Sequence, residues 1–429
     1  MSGMTFTPLW GAPFAGLLLS IAFWPLIAPQ YWRRHSGKIA ALWALAFLAP
    51  CAAAFGIDAA AQALADALLT QYLPFILLLA TLYTVAGGIY LRGNLRGSPA
   101  LNCGLLLAGA LLASVMGTTG ASMLLIRPLI RANDNRKRAA HVIVFFIFIV
   151  GNIGGALTPL GDPPLFLGFL QGVPFFWTLQ HLLAQTALLV AALLVIFYFL
   201  DRHYYRKDGV VEPDPTPGTQ SFGFEGAVNF GLIAAVVALV LACGVWRSGV
   251  VWHVAGVPLG LPDIVRDAGL AAVMLVSLVI TPRAARQKNR FKWTPMREVA
   301  QLFAGIFLTL IPVAAMLQAG AAGPLGAVVR AVTGADGAPV PALYFWVTGV
   351  LSSLLDNAPT YLVFFNAADS NVSHLMAAFP ATLAAISAGA VFMGANTYIG
   401  NAPNLMVKSI AEHQGIAMPG FLGYMAWSG

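Results

Sequence analysis

The stretch GALTPLGDPP (155–164) follows an apolar run, VIVFFIFIVGNI (142–153), that has the composition of a membrane helix. It holds three prolines, two glycines and one aspartate in ten residues. A proline inside a helix removes a backbone hydrogen bond and clashes with the preceding turn. The sequence therefore predicts a transmembrane helix over about 140–170 that is broken inside the bilayer and leaves free backbone carbonyls at the break.

The composition around this stretch is that of an integral membrane protein. Of 429 residues, 59% are hydrophobic and 9% are charged, against about 45–50% and about 25% in soluble domains. Several apolar runs approach or exceed the about 20 residues that span a bilayer: 12–29, 39–57, 73–91, 179–200, 226–246, 268–282 and 299–317. The first run lacks a basic leader and a cleavage site, so we interpret it as a retained helix. The three cysteines have no metal-binding spacing.

The net charge of +7 is concentrated in short loops, which argues for membrane topology and against nucleic-acid binding. By the positive-inside rule these loops are cytoplasmic. The uncharged N-terminus is then outside, and the short basic loops suit a multi-pass protein of a bacterial inner membrane. The basic clusters are 33–38, 92–96, 127–138, 202–207 and 283–297.

The segment between Arg96 and Arg127 predicts a re-entrant hairpin. About 30 apolar residues separate these two basic positions, which is too few for two full spans. Two half-helices over about 98–130, meeting at the tip GTTGAS (117–122), satisfy both length and charge. Non-helical backbone at membrane depth is tolerated where protein buries it or water reaches it.

The sequences of the broken span and of the hairpin recur 239 residues later. GALTPLGDPP aligns with GANTYIGNAP (394–403), with five of ten positions identical, and LASVMGTTGAS (112–122) aligns with LSSLLDNAPTY (351–361) without a gap. Two motifs in register at one offset indicate an internal duplication. The flanks of the second hairpin carry few basic residues, so it opens outward and the halves are inverted.

The predicted fold class is therefore an all-α inverted-repeat transporter with two re-entrant hairpins and two broken transmembrane helices. In such transporters the site forms at the midplane from half-helix ends and unwound backbone. The first repeat, 1–201, has three spans, the hairpin, the broken span and a closing span. A cytoplasmic linker occupies 202–225. The second repeat, 226–429, has its hairpin at about 340–367, its broken span at about 373–412 and a closing span that we expect to be truncated.

Two acids lie within the repeated motifs, Asp162 and Asp356. Intramembrane charge is costly and marks function. A carboxylate beside freed carbonyls and hydroxyls offers the oxygen ligands that a sodium ion prefers, and in a dry site a proton competes with the cation. The alternative is that each aspartate only caps a half-helix. The candidate ligands are Asn152, Thr158, Asp162, Thr118, Thr119, Asp356, Asn357, Asn396, Thr397 and Asn401.

Other polar residues have plainer interpretations. The candidate asparagines, together with Asn404, either supply amide oxygens to the ion or only hydrogen bond to unwound backbone. Ser114 and Ser353 are either ligands or small packing residues. Arg127 could neutralise an anionic substrate, but its place at the cytoplasmic exit of the hairpin suits topology better. We find no motif of a hydrolase or phosphate-binding enzyme.

At GNIGGALTPLGDPP, SSLLDNAPTY and GANTYIGNAPN the sequence resembles the ion transporter superfamily, particularly its D-type sodium/proton antiporter and citrate transporter branches. The resemblance spans nearly the whole chain. It implies two hairpins and two unwound helices around the ion and substrate sites, often in a homodimer. Many antiporter relatives carry an Asp-Asn pair at the first hairpin tip, where this chain has Gly117-Thr118-Thr119. A hydroxyl-rich tip is closer to the sodium-coupled carboxylate branch.

The leading hypothesis is sodium/proton exchange, with sodium and protons as the transported or coupling ions and no further cofactor. The alternative is sodium- or proton-coupled uptake of citrate or a similar carboxylate, and export of an oxyanion is a third. Outside transport, the alternatives are a passive channel, which should pass current without a coupled gradient, and an intramembrane enzyme, for which we find no nucleophile or metal constellation.

Overall fold

The computed structural model describes residues 6–93, 95–209, 223–369 and 371–429, and in these residues the fold is almost entirely helical. The first helices, after a 3-10 turn at Pro8–Gly11, form a bundle of three long apolar segments. The third segment is continuous over Ile57–Ala86 and contains a π-helix at Ala67–Tyr72. The α-helices are α1 (Ala12–Ile27), α2 (Pro29–Phe55), α3 (Ile57–Asp66) and α4 (Leu73–Ala86).

The first hairpin consists of α5 (Pro99–Met116) and α6 (Thr118–Ala132), which turn at Gly117. Gly117 has a φ of 80°, a conformation that glycine adopts without strain. Asn102 near the start of α5 and Asn133 just after α6 exchange amide hydrogen bonds of 3.0 and 2.9 Å. The two arms therefore enter and leave at the same end of the molecule, as a re-entrant hairpin does.

The broken span of the first half lies at the centre of the structure. It is divided into α7 (Ala140–Ile149), a 3-10 turn (Ile153–Leu157) and α8 (Pro163–Leu170). Within Ala140–Leu157, 89% of the residues are buried by protein, whereas the other candidate spans are 22–56% buried. The break is therefore enclosed by protein. The half ends with α9 (Trp177–Asp208), which continues seven residues into the predicted linker; the linker residues 210–222 lie outside the described residues.

The second half begins with three long helices, of which the first two are joined by a strand pair and the last two by a short helix. Strand β1 (Tyr90–Arg92), after α4, pairs antiparallel with β2 (Gly223–Glu225), and β3 (Val251–Val254) pairs with β4 (Val257–Gly260). The helix α11 starts before the predicted 268–282 span and carries Asp263, Arg266 and Asp267 in its first turns. The helices are α10 (Val228–Val245), α11 (Leu261–Ile280), α12 (Arg283–Lys288) and α13 (Thr294–Gln318), followed by a 3-10 turn (Gly320–Ala322) and α14 (Gly326–Ala331).

The second hairpin and the second broken span complete the chain. The hairpin arms contact each other through the rings of Tyr344 and Phe364. The predicted 373–412 span contains an additional bend, of 104°, between α17 and α18. The elements are α15 (Pro341–Leu354), α16 (Asn357–Ala368), α17 (Val372–Ala378), α18 (Pro380–Met393), a 3-10 turn (Gly394–Asn396), α19 (Ala402–His413) and α20 (Phe421–Ser428).

Loops that carry basic residues meet at one end of the molecule, which we call the basic end. Arg131 donates to the carbonyl of Leu91 at 2.7 Å, and Lys288 forms an ion pair of 2.5 Å with Glu225. We call the other end, where α13 and α16 finish, the opposite end. Gln318 and Asn366 hydrogen bond to each other there at 2.7 Å.

Length and composition agree with a multi-pass membrane protein. Among the described residues, eight helices are long and apolar enough to cross a bilayer, or nine if the bent pair is one span. One of the eight is α5, which the contact between Asn102 and Asn133 shows to be a hairpin arm. The all-α membrane fold predicted from the sequence is thus confirmed, and the equivalence of the two halves remains a proposal.

Candidate functional site

The break in the central span is shaped by backbone that packs against backbone. A Cβ atom on Gly161 would lie 2.1 Å from the carbonyl oxygen of Gly155, so only glycine fits there. Thr118 donates its N–H to the carbonyl of Gly161 at 2.8 Å, which joins the first hairpin tip to the break. Asp162 follows as the residue before the Pro163 that starts α8. The helix start thus delivers a carboxylate to the middle of the protein.

Three donors converge on the Asp162 carboxylate, which is 1% exposed. The hydroxyl of Thr118 donates to Oδ1 at 3.1 Å, and the amide of Asn401 donates to the same oxygen at 3.0 Å. The amide of Asn357 donates to Oδ2 at 2.5 Å. These donors come from the first hairpin tip, the second broken span and the second hairpin tip. Four segments far apart in the chain therefore meet at one carboxylate.

A chain of asparagine amides extends from this carboxylate into the break of the central span. Asn401 also donates to Oδ1 of Asn152 and to the carbonyl of Gly151, each at 3.2 Å. Asn152 donates to Oδ1 of Asn404 at 2.7 Å, and Asn404 donates to the carbonyls of Gly394 and Thr397, both at 2.8 Å. The amides thus satisfy the unwound backbone and fix the position of Asn401.

Two of the predicted ligands, Thr158 and Thr397, contact the hairpins instead of the carboxylate. The hydroxyl of Thr158 donates to the carbonyl of Ser114, and that of Thr397 donates to the carbonyl of Ser353. Each hydroxyl also accepts from the N–H two residues on, at 3.2 Å. Asn396 donates to the Ser353 hydroxyl at 3.0 Å. These three side chains hold a hairpin against a broken span.

Asp356 caps the second hairpin helix and faces the same cavity as Asp162. Its carboxylate accepts the N–H of Ala358 at 3.1 Å. Asp356 therefore both caps a helix and lines the cavity. Thr119 also lines the cavity, beside Thr118.

The cavity beside Asp162 has a volume of about 100 Å³ and extends toward the basic end. Residues of the first hairpin tip, of the break in the central span and of the second half of the chain line the inner part of the cavity. Tyr83, Pro295 and Met296 line the part nearer the basic end. Its lining, within the described ranges, includes no Lys, Arg or His. Its wall carries the carboxylates of Asp162 and Asp356 and the hydroxyls of Thr118 and Thr119 among mostly apolar side chains.

Carboxylate, hydroxyl and amide oxygens lie close together around Asp162. The Oδ1 atom of Asn357 is buried and has no hydrogen-bond partner among the described residues, although its amide nitrogen donates to Asp162. A buried amide oxygen without a partner carries a free-energy cost that a cation would remove. Carboxylate, amide and hydroxyl oxygens are ligands suited to hard cations. In the part of the chain that is described, no group of three His, Cys, Asp or Glu side chains could hold a metal ion.

Arg127 lies one turn beyond the cavity wall. On α6 it follows Thr119 and Met123 at four-residue spacing, which places the three side chains on one helix face. Met123 packs with Tyr83 and Met296, which line the cavity. The Nε and Nη1 atoms of Arg127 are buried without a hydrogen-bond partner in the described ranges.

A second polar cluster, which was not predicted from the sequence, lies at the basic end. Asp201 forms an ion pair with Arg136 at 2.6 Å, hydrogen bonds with His141 at 2.7 Å and accepts from Asn102 at 2.9 Å. The side chains of Arg136 and Asp201 are 1% and 0% exposed. This cluster ties the base of the first hairpin to α9. An acid at the end of an apolar run followed by basic residues was the signal that could have identified it.

These features define a multi-pass membrane transporter whose hairpin tips and broken spans converge on one carboxylate. The chain belongs to the family described as "Putative citrate transport", whose model matches residues 3–429. An uncharacterized transporter of Mycobacterium tuberculosis and one of Mycobacterium bovis are each 28% identical to it over 343 residues, which is 76% of this chain and 73% of the relative. A 46 kDa membrane protein of Mycobacterium leprae is 26% identical over 331 residues, covering 75% of this chain and 71% of its own length.

Proposed function

We propose that this transporter carries a small carboxylate such as citrate, coupled to a sodium ion that binds at Asp162. The observation that carries the proposal is the convergence of Thr118, Asn357 and Asn401 on the Asp162 carboxylate. The site uses both hairpin tips and both breaks, so a movement of any of these elements changes the coordination of the ion. Such a site is suited to coupling ion binding to a conformational change.

An anionic substrate needs a positive partner in a cavity lined by two aspartates. The coupling cation at Asp162 supplies one such charge. Arg127 supplies the second, because its buried guanidinium has N–H groups without acceptors beside the basic end of the cavity. A guanidinium binds carboxylates through paired N–H donors. The two interpretations of Arg127, as a residue that sets the topology and as a contact for the substrate, are compatible.

The second candidate function is sodium/proton exchange without a carboxylate. The acidic cavity lining, with Asp162 and Asp356 and no basic side chain among its described residues, favours it. In that mechanism a proton and a sodium ion compete for the same carboxylate.

We also propose that the two halves are inverted repeats. The protein lies in a bacterial inner membrane with its basic end in the cytoplasm and its N-terminus outside, and it forms a homodimer.

One pair of vesicle assays tests the proposal. Right-side-out vesicles that contain the full chain should accumulate radiolabelled citrate under an inward sodium gradient, and Asp162→Asn should abolish accumulation. Inverted vesicles with an acidic lumen should show no sodium-driven alkalinisation. Alkalinisation without citrate uptake would replace the proposal by sodium/proton exchange. Asp58→Asn, an exposed acid on α3, is the matched control and should leave transport unchanged.

A further inference from the structure

A second cavity lies at the opposite end of the molecule, and the proposed function does not use it. Its volume is about 120 Å³. Its wall holds four uncharged amide side chains together with apolar residues of α13 and α16. The amides are Gln71, Gln171, Gln318 and Asn366.

Three phenylalanine rings separate this cavity from the one beside Asp162. Phe303 lines the inner cavity, and Phe307, one turn further along α13, lines the outer one. The ring centre of Phe75 lies 4.5 Å from that of Phe303 and 5.6 Å from that of Phe307. The three side chains are 0%, 5% and 1% exposed, in chain order. We call Phe75, Phe303 and Phe307 the ring cluster; it lies between the two cavities.

Two half-helices connect the ion site to the outer cavity. The helix α8 begins at Pro163, next to Asp162, and is followed by Gln171 at its C-cap. The helix α16 begins at Asn357 and carries Asn366 near its end. At 1.5 Å per residue, each amide lies roughly 13 Å along a helix axis from the site. The outer cavity is thus built on the elements that hold Asp162.

The other wall comes from the first bundle and from α13. Gln71 belongs to the π-helix Ala67–Tyr72, an irregular helix type that is common at functional sites. Gln318 is the last residue of α13 and donates to Asn366 at 2.7 Å. The cavity therefore lies between α13 with the π-helix on one side and the two half-helices on the other, and relative movement of these sides would change its width.

We propose that this amide-lined cavity is a second binding subsite for the carboxylate substrate, on the side of the ring cluster away from the ion site. This inference rests on the proposed function. Amide N–H groups hydrogen bond carboxylate and hydroxyl oxygens without a fixed charge, so they bind weakly and release readily. The substrate passes from the subsite to Asp162 when the ring cluster separates.

Thiol protection tests binding at the subsite apart from transport. In the full chain with Cys51, Cys103 and Cys243 replaced by alanine, Gln171→Cys is labelled with a membrane-impermeant maleimide. Citrate should slow the labelling about threefold or more, as expected for occupancy of about two thirds of the sites. Ala321→Cys, exposed at the same end, should be labelled at an unchanged rate. Equal rates with and without citrate at Gln171→Cys would overturn the proposal.

Transport kinetics provide the second measurement. Gln318→Leu should raise the KM for citrate about three- to tenfold with an unchanged maximal rate, because one or two hydrogen bonds to substrate are lost. Gln62→Leu, an exposed glutamine of α3 outside the cavity, is the control. A fall in maximal rate with normal KM would assign Gln318 a structural role and overturn the subsite. If the unmodified chain moves no citrate, the proposed function fails, and the labelling experiment still decides the subsite.

Discussion

Asp162 and Asn401, which align at the 239-residue offset of the repeated motifs, hydrogen bond to each other through their side chains at 3.0 Å. Thr118 and Asn357 are related by the same offset, and both donate to the Asp162 carboxylate. In the inverted repeat that we propose, such aligned residues meet near the axis that relates the two halves. Asp162 is paired with Asn401, and Thr118 with Asn357, so the centre holds one carboxylate and three neutral donors.

The Thr118 hydroxyl should determine the affinity for the coupling cation. Thr118→Val keeps the shape of the side chain and removes the donor to Asp162, and a hydrogen bond to a charged group is worth about 1.5–3 kcal/mol. We expect the half-saturating sodium concentration for citrate uptake to rise about tenfold or more. Thr118→Ser should stay near the original value. Thr119→Val, at the neighbouring position on the cavity wall, should change it little; an equal effect at both positions would contradict a specific role of Thr118.

Substitution of Arg127 should weaken the binding of the carboxylate substrate and leave the binding of sodium unchanged. Arg127→Gln removes the guanidinium beside the basic end of the cavity, and we expect the KM for citrate to rise about tenfold or more, since charge-assisted hydrogen bonds are the stronger ones. The half-saturating sodium concentration should remain unchanged. Arg34→Gln, an exposed arginine of α2, serves as the control for loss of one positive charge. A normal citrate KM in Arg127→Gln would remove Arg127 from the substrate path.

The break at Gly161 should not tolerate a side chain. In Gly161→Ala the new Cβ would meet the Gly155 carbonyl at 2.1 Å, so the cost should exceed the about 1–3 kcal/mol of ordinary overpacking. We expect little monodisperse protein in detergent by fluorescence-detected size exclusion. Gly104→Ala, in α5 with nothing within 4 Å of the new Cβ, should express as well as the unmodified chain. Normal recovery of Gly161→Ala would show that the break is wider than the structure indicates.

The buried ion cluster at the basic end should contribute to stability. Asp201→Asn removes the acid 2.6 Å from the buried Arg136 guanidinium and leaves Asp208, at 3.9 Å, as its remaining acidic partner. Breaking a buried ion pair costs up to about 3–5 kcal/mol. Thermal unfolding in detergent should show a clear fall in the midpoint temperature. Asp263→Asn breaks an ion pair in which the aspartate is 55% exposed, where the expected effect is about 0–1 kcal/mol. Similar midpoints for the two variants would contradict the assignment.

Opening the ring cluster should uncouple transport. Phe307→Ala removes the ring between the two cavities, so citrate should equilibrate across vesicle membranes without a sodium gradient. Phe199→Ala, on the exposed surface of α9, should retain sodium dependence. Tight coupling in Phe307→Ala, with normal uptake, would show that the barrier lies elsewhere.

Local chemistry in the sequence was sufficient to predict the helical membrane fold, the turn at Gly117 and the break before Pro163, and the functional role of Asp162 stays a prediction. These follow from hydropathy, from charge placement and from the backbone limits of proline and glycine, which act within a few residues. The 104° bend at Phe379 and the extension of α9 to Asp208 were not predicted, because packing against other helices decides where an apolar helix bends or ends.

Only the tertiary structure decided which polar residues act together. Ten candidates were equivalent as a set of oxygen donors, yet the fold directs Thr118, Asn357 and Asn401 to Asp162 and directs Thr158 and Thr397 to hairpin carbonyls. The ring cluster and the Asp201 cluster depend in the same way on residues distant in the chain. Hydrogen bonds act over about 3 Å, so a side chain's partner is determined by the packing of whole helices, which composition and local spacing do not contain.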